Sequence, residues 1–193
     1  MQPHTLPTLA APGAGLPFPE LLIGRLLFGL RRRLGNAAAF AEEFRAERAA
    51  IRLLVDSCVT TRLAERVLIK RLRGLEDSSR HWSVWMTLDH LRITNLAFAC
   101  FITGLAQGVT PDVVVSTANV KPAPDVTASI DAGYEQSCDQ VLVAMQQAGD
   151  TKSVTRHAHP WFGPLDVAGW QALAGGHMGI HRAQLAAIIQ GLA

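Results

Sequence analysis

The sequence predicts an all-α fold: a four-helix bundle preceded by a short additional helix. Apolar residues recur at three- and four-residue steps along four separate stretches. Residues that start and stop helices bound those stretches. Only Val113-Val114-Val115 reads as a strand, and one strand makes no sheet. The chain divides into an N-terminal extension, residues 1–35, and a helical domain, residues 36–193.

Five of the ten prolines lie in residues 1–19, a stretch with no Lys or Arg. Proline at this density favours an extended chain draped on a surface. Residues 20–34 then read as a short helix, apolar on most sides and ending in Arg31, Arg32 and Arg33, which suit the negative end of the helix dipole. Leu22, Ile23, Leu26, Leu27 and Leu30 are too apolar for a free helix, so it docks on the main domain or on a second copy of the chain. A membrane-surface helix is the competing reading.

The first long helix starts at Asn36, a good N-cap, and is expected to continue to Gly74, with a bend at Thr60-Thr61. Phe40, Phe44, Ile51, Leu54, Val55, Cys58 and Leu68 form its apolar side. The second begins near Ser83 and ends at Gly108, with Met86, His90, Ile93, Ala97 and Phe101 along one face. A proline-containing loop follows to about Thr127. The third helix, from about Ser129 to Gly149, turns Tyr134, Cys138, Val141, Leu142 and Met145 inward. The fourth is capped by Asp166 and runs to about Gln190, with Trp170, Leu173, His177, His181, Leu185 and Ile188 on its inner face.

Composition removes several function classes. With 18 basic and 16 acidic residues the net charge is +2, too weak a field to argue for nucleic acid. The longest uncharged stretch, from Ile93 to Pro111, carries several polar residues and suits a buried helix better than a membrane span. The N-terminus lacks the basic start of a signal peptide. Cys58, Cys100 and Cys138 are odd in number, widely spaced and set in apolar patterns, which points to buried free thiols in a cytoplasmic protein.

Histidine placement carries the chemistry. His177 and His181 are four residues apart, so their side chains stand one turn apart on one helix face. Two such imidazoles can hold one transition metal at about 2.0–2.1 Å, and His90 on another inner face can add a third nitrogen. Three neutral nitrogens leave a coordination position open, as catalytic sites do. Buried histidines satisfied by carbonyls or side chains are the alternative. Gln184, nearly in line with His177, is placed to orient a ligand or to make an interhelical hydrogen bond. Arg182 points away from His181 and reads as a salt-bridge residue; Asp89 is off the face of His90. His157 and His159 lie in a loop where His159 and Trp161 can rim a pocket, although a structural or solvent-facing role also fits. No cysteine has the setting of a nucleophile.

The segment His177-Met178-Gly179-Ile180-His181-Arg182-Ala183-Gln184-Leu185 resembles the H-x-x-x-H-R-x-Q pattern of the DinB-like (YfiT-like) superfamily of metal-binding four-helix bundles. Trp82-Ser83 through His90-Leu91 is similar to its W-S-x…H-L segment. His159-Pro160-Trp161-Phe162-Gly163-Pro164-Leu165-Asp166, followed by Trp170, is similar to an uncharacterised branch of it. The resemblance covers about residues 37–193. It implies that His90, His177 and His181 bind a divalent metal; three imidazoles suit zinc or nickel equally. It further implies an enzyme that joins a low-molecular-weight thiol to a small electrophile, with metal-dependent hydrolysis and a non-catalytic metal-binding bundle as alternatives. The expected partners are a small-molecule substrate and a second copy of the chain, in the cytoplasm, with no nucleic acid and no integral membrane contact.

Overall fold

Proline and arginine set the limits of the first helix, α1, Phe18–Leu34. Pro19 lies in its first turn, where a missing N–H costs nothing, and three arginines end it. The computed structural model describes residues 8–193, and the chain is mostly helical. The extended reading of residues 1–19 falls partly outside the described residues. Residues 8–15 lie along the domain surface: the Ala10 N–H donates to Asp77 at 2.8 Å, and those of Gly13 and Gly15 donate to Glu76 at 3.5 and 3.3 Å.

Helix α2, Ala37–Asp56, is capped by Asn36, whose side chain accepts the Ala39 N–H. It ends well short of Gly74, contrary to the sequence reading. The Ser57 hydroxyl donates back to the Leu54 carbonyl at 2.7 Å, and the β-branched run Val59-Thr60-Thr61 follows. The chain instead makes a 3-10 turn, Thr60–Arg62, and a short strand β1, Val67–Leu68, paired antiparallel with β2, His81–Trp82. Leu68, expected on the apolar side of a helix, is therefore exposed.

Helix α3, Val84–Ala106, is capped by Ser83 onto the Met86 N–H. All eight residues from Val84 to Leu91 are buried, Thr87, Asp89 and His90 included, so this first third of the helix has no solvent face. Helix α4 spans Asp131–Ala148 and α5 spans Val167–Leu192, the latter capped by Asp166 onto Gly169. Between them β3, His157–His159, pairs with β4, Gly163–Leu165. The connecting turn places Pro160 first and Gly163 at φ +70°, the conformation that favours glycine after a three-residue hairpin loop. Val113, Val114 and Val115 form no strand.

Helix α3 packs on α4 and α5, and α2 packs on α5 and α4. Their shared interior holds Phe44, Ile51, Tyr134, Phe101 and Trp170 with almost no exposed surface. Arg48 and Arg52 bridge α2 to Glu135, Asp139 and Asp131 on α4. Pairs this exposed each add well under about 1 kcal/mol. All three cysteines are free. Cys138 is buried and Cys58 half-buried, but Cys100 is exposed, which corrects its reading as a buried thiol: it lies on the outer side of α3 beside Leu96.

Helix α1 lies on α5. Phe28 stacks on Phe162 at 4.4 Å, and the Arg25 Nε–H donates to the Trp161 carbonyl at 2.6 Å. Arg31 and Arg32 turn inward to pair with Glu43 and Asp166. Phe18, Leu22, Ile23, Leu26, Leu27, Leu30 and Leu34 are each at least half exposed. Among the described residues no helix is long and apolar enough to cross a membrane.

Candidate metal centre

The two helices most buried in the fold bring His90, His177 and His181 together. One nitrogen from each lies within 4.8 Å of the others. The Nε2 atoms of His90 and His177 are 3.2 Å apart, and the ring centroids of His90 and His181 are 4.4 Å apart. His90 comes from α3; His177 and His181 come from successive turns of α5.

The outer edges of two rings are committed. His90 Nδ1–H donates to the Val120 carbonyl at 2.6 Å. His181 Nδ1–H donates to Gln184 Oε1 at 2.7 Å, and Gln184 Nε2–H donates in turn to the Ser79 carbonyl at 2.7 Å. A proton on Nδ1 leaves a lone pair on Nε2, the form that ligates a metal. His177 Nδ1 is buried without a partner among the described residues, while part of its ring opens on a cavity. The donor set therefore fits a divalent cation: at least two lone pairs are aimed inward, and the cation in the same wall, Lys121, is paired with Glu76.

Burial sets the protonation of the cluster. It pushes His90 down to about 4, and it holds His177 and His181 well below the ordinary imidazole range; the next cause is the charge of His181 for His177 and that of His90 for His181. In the unfolded chain these rings return to an ordinary value near 6.5. Between pH 6.5 and about 4 the unfolded chain therefore takes up protons that the folded chain refuses. Metal-free protein should lose stability as pH falls through this window, by roughly 3 kcal/mol from His90 alone, and should be insensitive to pH from 7 to 8. Thermal melting at pH 7.5, 6 and 5 measures this; an unchanged melting temperature would mean that the rings charge in place.

The cavity of about 100 Å³ beside the rings is walled mainly by Phe98, Phe101, Trp161, Trp170, Leu75 and Ile180. Trp82 packs behind the cluster, 5.2 Å from His90 and 6.3 Å from His181 between centroids. His159 and Trp161, the residues expected at a pocket rim, line this cavity. His157 is half-buried against Phe101 at 4.3 Å. Gln184 both orients a histidine and makes an interelement hydrogen bond. Arg182 pairs with Glu47, and Asp89 pairs with Arg92 at 2.7 Å, apart from the three rings.

Three contributors escaped sequence reading. Val120 and Ser79 act through backbone carbonyls, which every residue has. Lys121, next to Val120, donates to Glu76 at 3.1 Å and to the Ser78 and Ser79 hydroxyls at 2.9 Å each. This buried knot ties together the two segments whose carbonyls orient the rings. Burial opposes the charge on both Glu76 and Lys121; their mutual attraction nevertheless holds Glu76 below the usual carboxylate range.

The fold and site thus define a mostly helical protein with a three-histidine cluster opening on an apolar cavity. Comparisons with protein-family models, curated proteins and solved structures find no match to this chain.

Proposed function

We propose that this chain is a four-helix bundle of the DinB-like kind that holds a divalent cation on His90, His177 and His181 and joins a small thiol to an electrophile. One observation carries the metal reading: three imidazoles from two helices meet within 4.8 Å, two of them with their outer nitrogens already bonded. Thiol transfer rests on the sequence resemblance. A zinc or nickel ion on three imidazoles would lower the pKa of a thiol or water at the open position and supply a nucleophile at neutral pH. The chain's own part is to fix the three rings, exclude bulk water and seat an apolar electrophile against Phe98, Phe101 and Trp170. Three free thiols support a reducing, cytoplasmic setting. The exposed apolar face of α1 supports pairing with a second copy.

Titration of metal-free protein with zinc and nickel tests the first half of the reading, which requires one ion per chain. Thiol consumption with a panel of electrophiles tests the second. Absence of stoichiometric metal sinks the reading; metal without turnover reduces it to a binding protein; turnover without thiol moves it to hydrolysis.

Gln184→Leu offers an internal check. The change strands the His181 Nδ1–H and the Ser79 carbonyl while leaving all three ligand rings. Metal affinity should fall about 10- to 100-fold, the usual effect of losing a group that orients a ligand. Competition against a chromogenic chelator reads this directly, and an unchanged affinity would show that Gln184 serves packing alone.

A further inference from the structure

The cavity wall contains a fourth imidazole with an uncommitted edge. His159 ends β3, and its Nδ1 accepts the backbone N–H groups of Trp161 at 3.1 Å and Phe162 at 3.4 Å. A ring nitrogen that accepts such donors carries no proton, so the neutral ring carries its proton on Nε2. That Nε2–H has no hydrogen-bond partner among the described residues. The ring is held between Phe162, 5.1 Å away and stacked, and Trp170, 5.7 Å away. Burial keeps it neutral, pushed down to about 4.

The surroundings determine what this donor can meet. Trp161 and Trp170 stand beside it, and Phe98 and Phe101 line the same cavity. Lys121, also in the wall, has spent its donors on Glu76, Ser78 and Ser79. In the metal-free protein a carboxylate entering here would give up its hydration without a free cation to meet it. A neutral carbonyl oxygen loses less and gains a partner.

We propose that the Nε2–H of His159 anchors the oxygen of a small, largely apolar ligand bearing a neutral carbonyl, so that this cavity selects aromatic or similar carbonyl compounds. This rests on the reading of the cavity as the substrate site, but not on a metal. A site built around such a donor discriminates against analogues that lack the acceptor, because a ligand that displaces water from this N–H then leaves it unpaired.

The test uses full-length metal-free protein and two probes followed by fluorine NMR, para-fluorobenzamide and para-fluorotoluene. His159→Phe keeps a flat ring and removes the donor. It should weaken the amide by about tenfold, the value of one neutral hydrogen bond, and leave the toluene within about twofold. His159→Gln, which places an amide N–H near the lost Nε2–H, should recover most of the amide affinity. Equal losses for both probes, no loss for either, or no amide binding by the wild type would overturn the proposal. In wild-type protein with isotope-labelled histidine, the amide should shift the His159 Nε2–H resonance and the toluene should not. A resonance that stays in place at amide saturation overturns the proposal even if His159→Phe fails to fold. Zinc titration of the same samples is a separate axis: wild-type protein that takes no zinc sinks the metal reading and leaves the amide comparison intact.

Discussion

His177→Ala should fold and lose its metal. The change removes one of three proposed nitrogens and leaves His90 and His181, each still tied to its own acceptor, Val120 and Gln184. Two imidazoles bind a divalent cation far more weakly than three, and affinity should drop by at least about 100-fold, more than the loss of an orienting neighbour causes. The folding cost is expected to be small. His177 Nδ1 is buried without a partner, a cost that offsets the one hydrogen bond the ring makes without metal, Nε2 to His90 Nε2 at 3.2 Å. Its removal enlarges an existing cavity rather than opening a new one. Metal-free His177→Ala should therefore melt close to metal-free wild type, and the two should diverge only when zinc or nickel is added, since a ligand stabilises only the state that binds it. His157→Ala is the control. It removes a ring tilted against Phe101, outside the cluster, and should lower melting slightly while retaining metal. Metal retained by His177→Ala, or lost equally by both variants, would exclude the proposed centre.

The parts of this site that were legible in the sequence are those written in side chains at fixed local spacing. Asn36, Ser83 and Asp166 each accept an N–H three residues on, and that chemistry is visible in the residue type alone. The positions of His177 and His181 followed from helical periodicity because α5 is long and unbroken. The end of α2 was not legible, because the chain trades helix for a two-residue strand whose partner, His81–Trp82, follows only after the irregular residues 69–80. Strands of two or three residues are too short to display a period. Cys100 was misplaced for a related reason: α3 is apolar around most of its circumference, so its pattern does not mark which side meets solvent. The His157–Leu165 hairpin had a readable signal in Pro160 and Gly163, but its role as a cavity wall depends on where α3 and α5 meet.

Deleting residues 1–35 should damage the candidate site as well as the melting temperature. The segment begins as a proline-rich stretch, yet its described part grips both sides of the cavity wall. On one side Gly13 and Gly15 donate N–H groups to Glu76, whose other partners, Lys121 and Ser78, adjoin the segments that orient His90 and Gln184. On the other, Arg25 holds the Trp161 carbonyl and Phe28 covers Phe162, so the turn carrying His159 is fixed from outside. Loss of the Phe28 contact and of the inward pairs of Arg31 and Arg32 should cost about 3 kcal/mol, or about 6–12 °C in melting temperature for a chain of this size. Trp161 fluorescence should shift to the red as its turn opens to water, and zinc affinity should fall in the same sample. The exposed face of α1 needs its own variant, because deletion removes docking and exposure together. Leu22→Glu with Leu26→Glu places two charges on the outer face and leaves Arg25, Phe28, Arg31 and Arg32 in position. If that face joins two copies, the double variant should sediment as a monomer with an unaltered zinc site, whereas the wild type sediments as a dimer. Identical sedimentation of the two proteins would remove the dimer, and an unchanged melting temperature after deletion would show that the extension supports neither the fold nor the cavity.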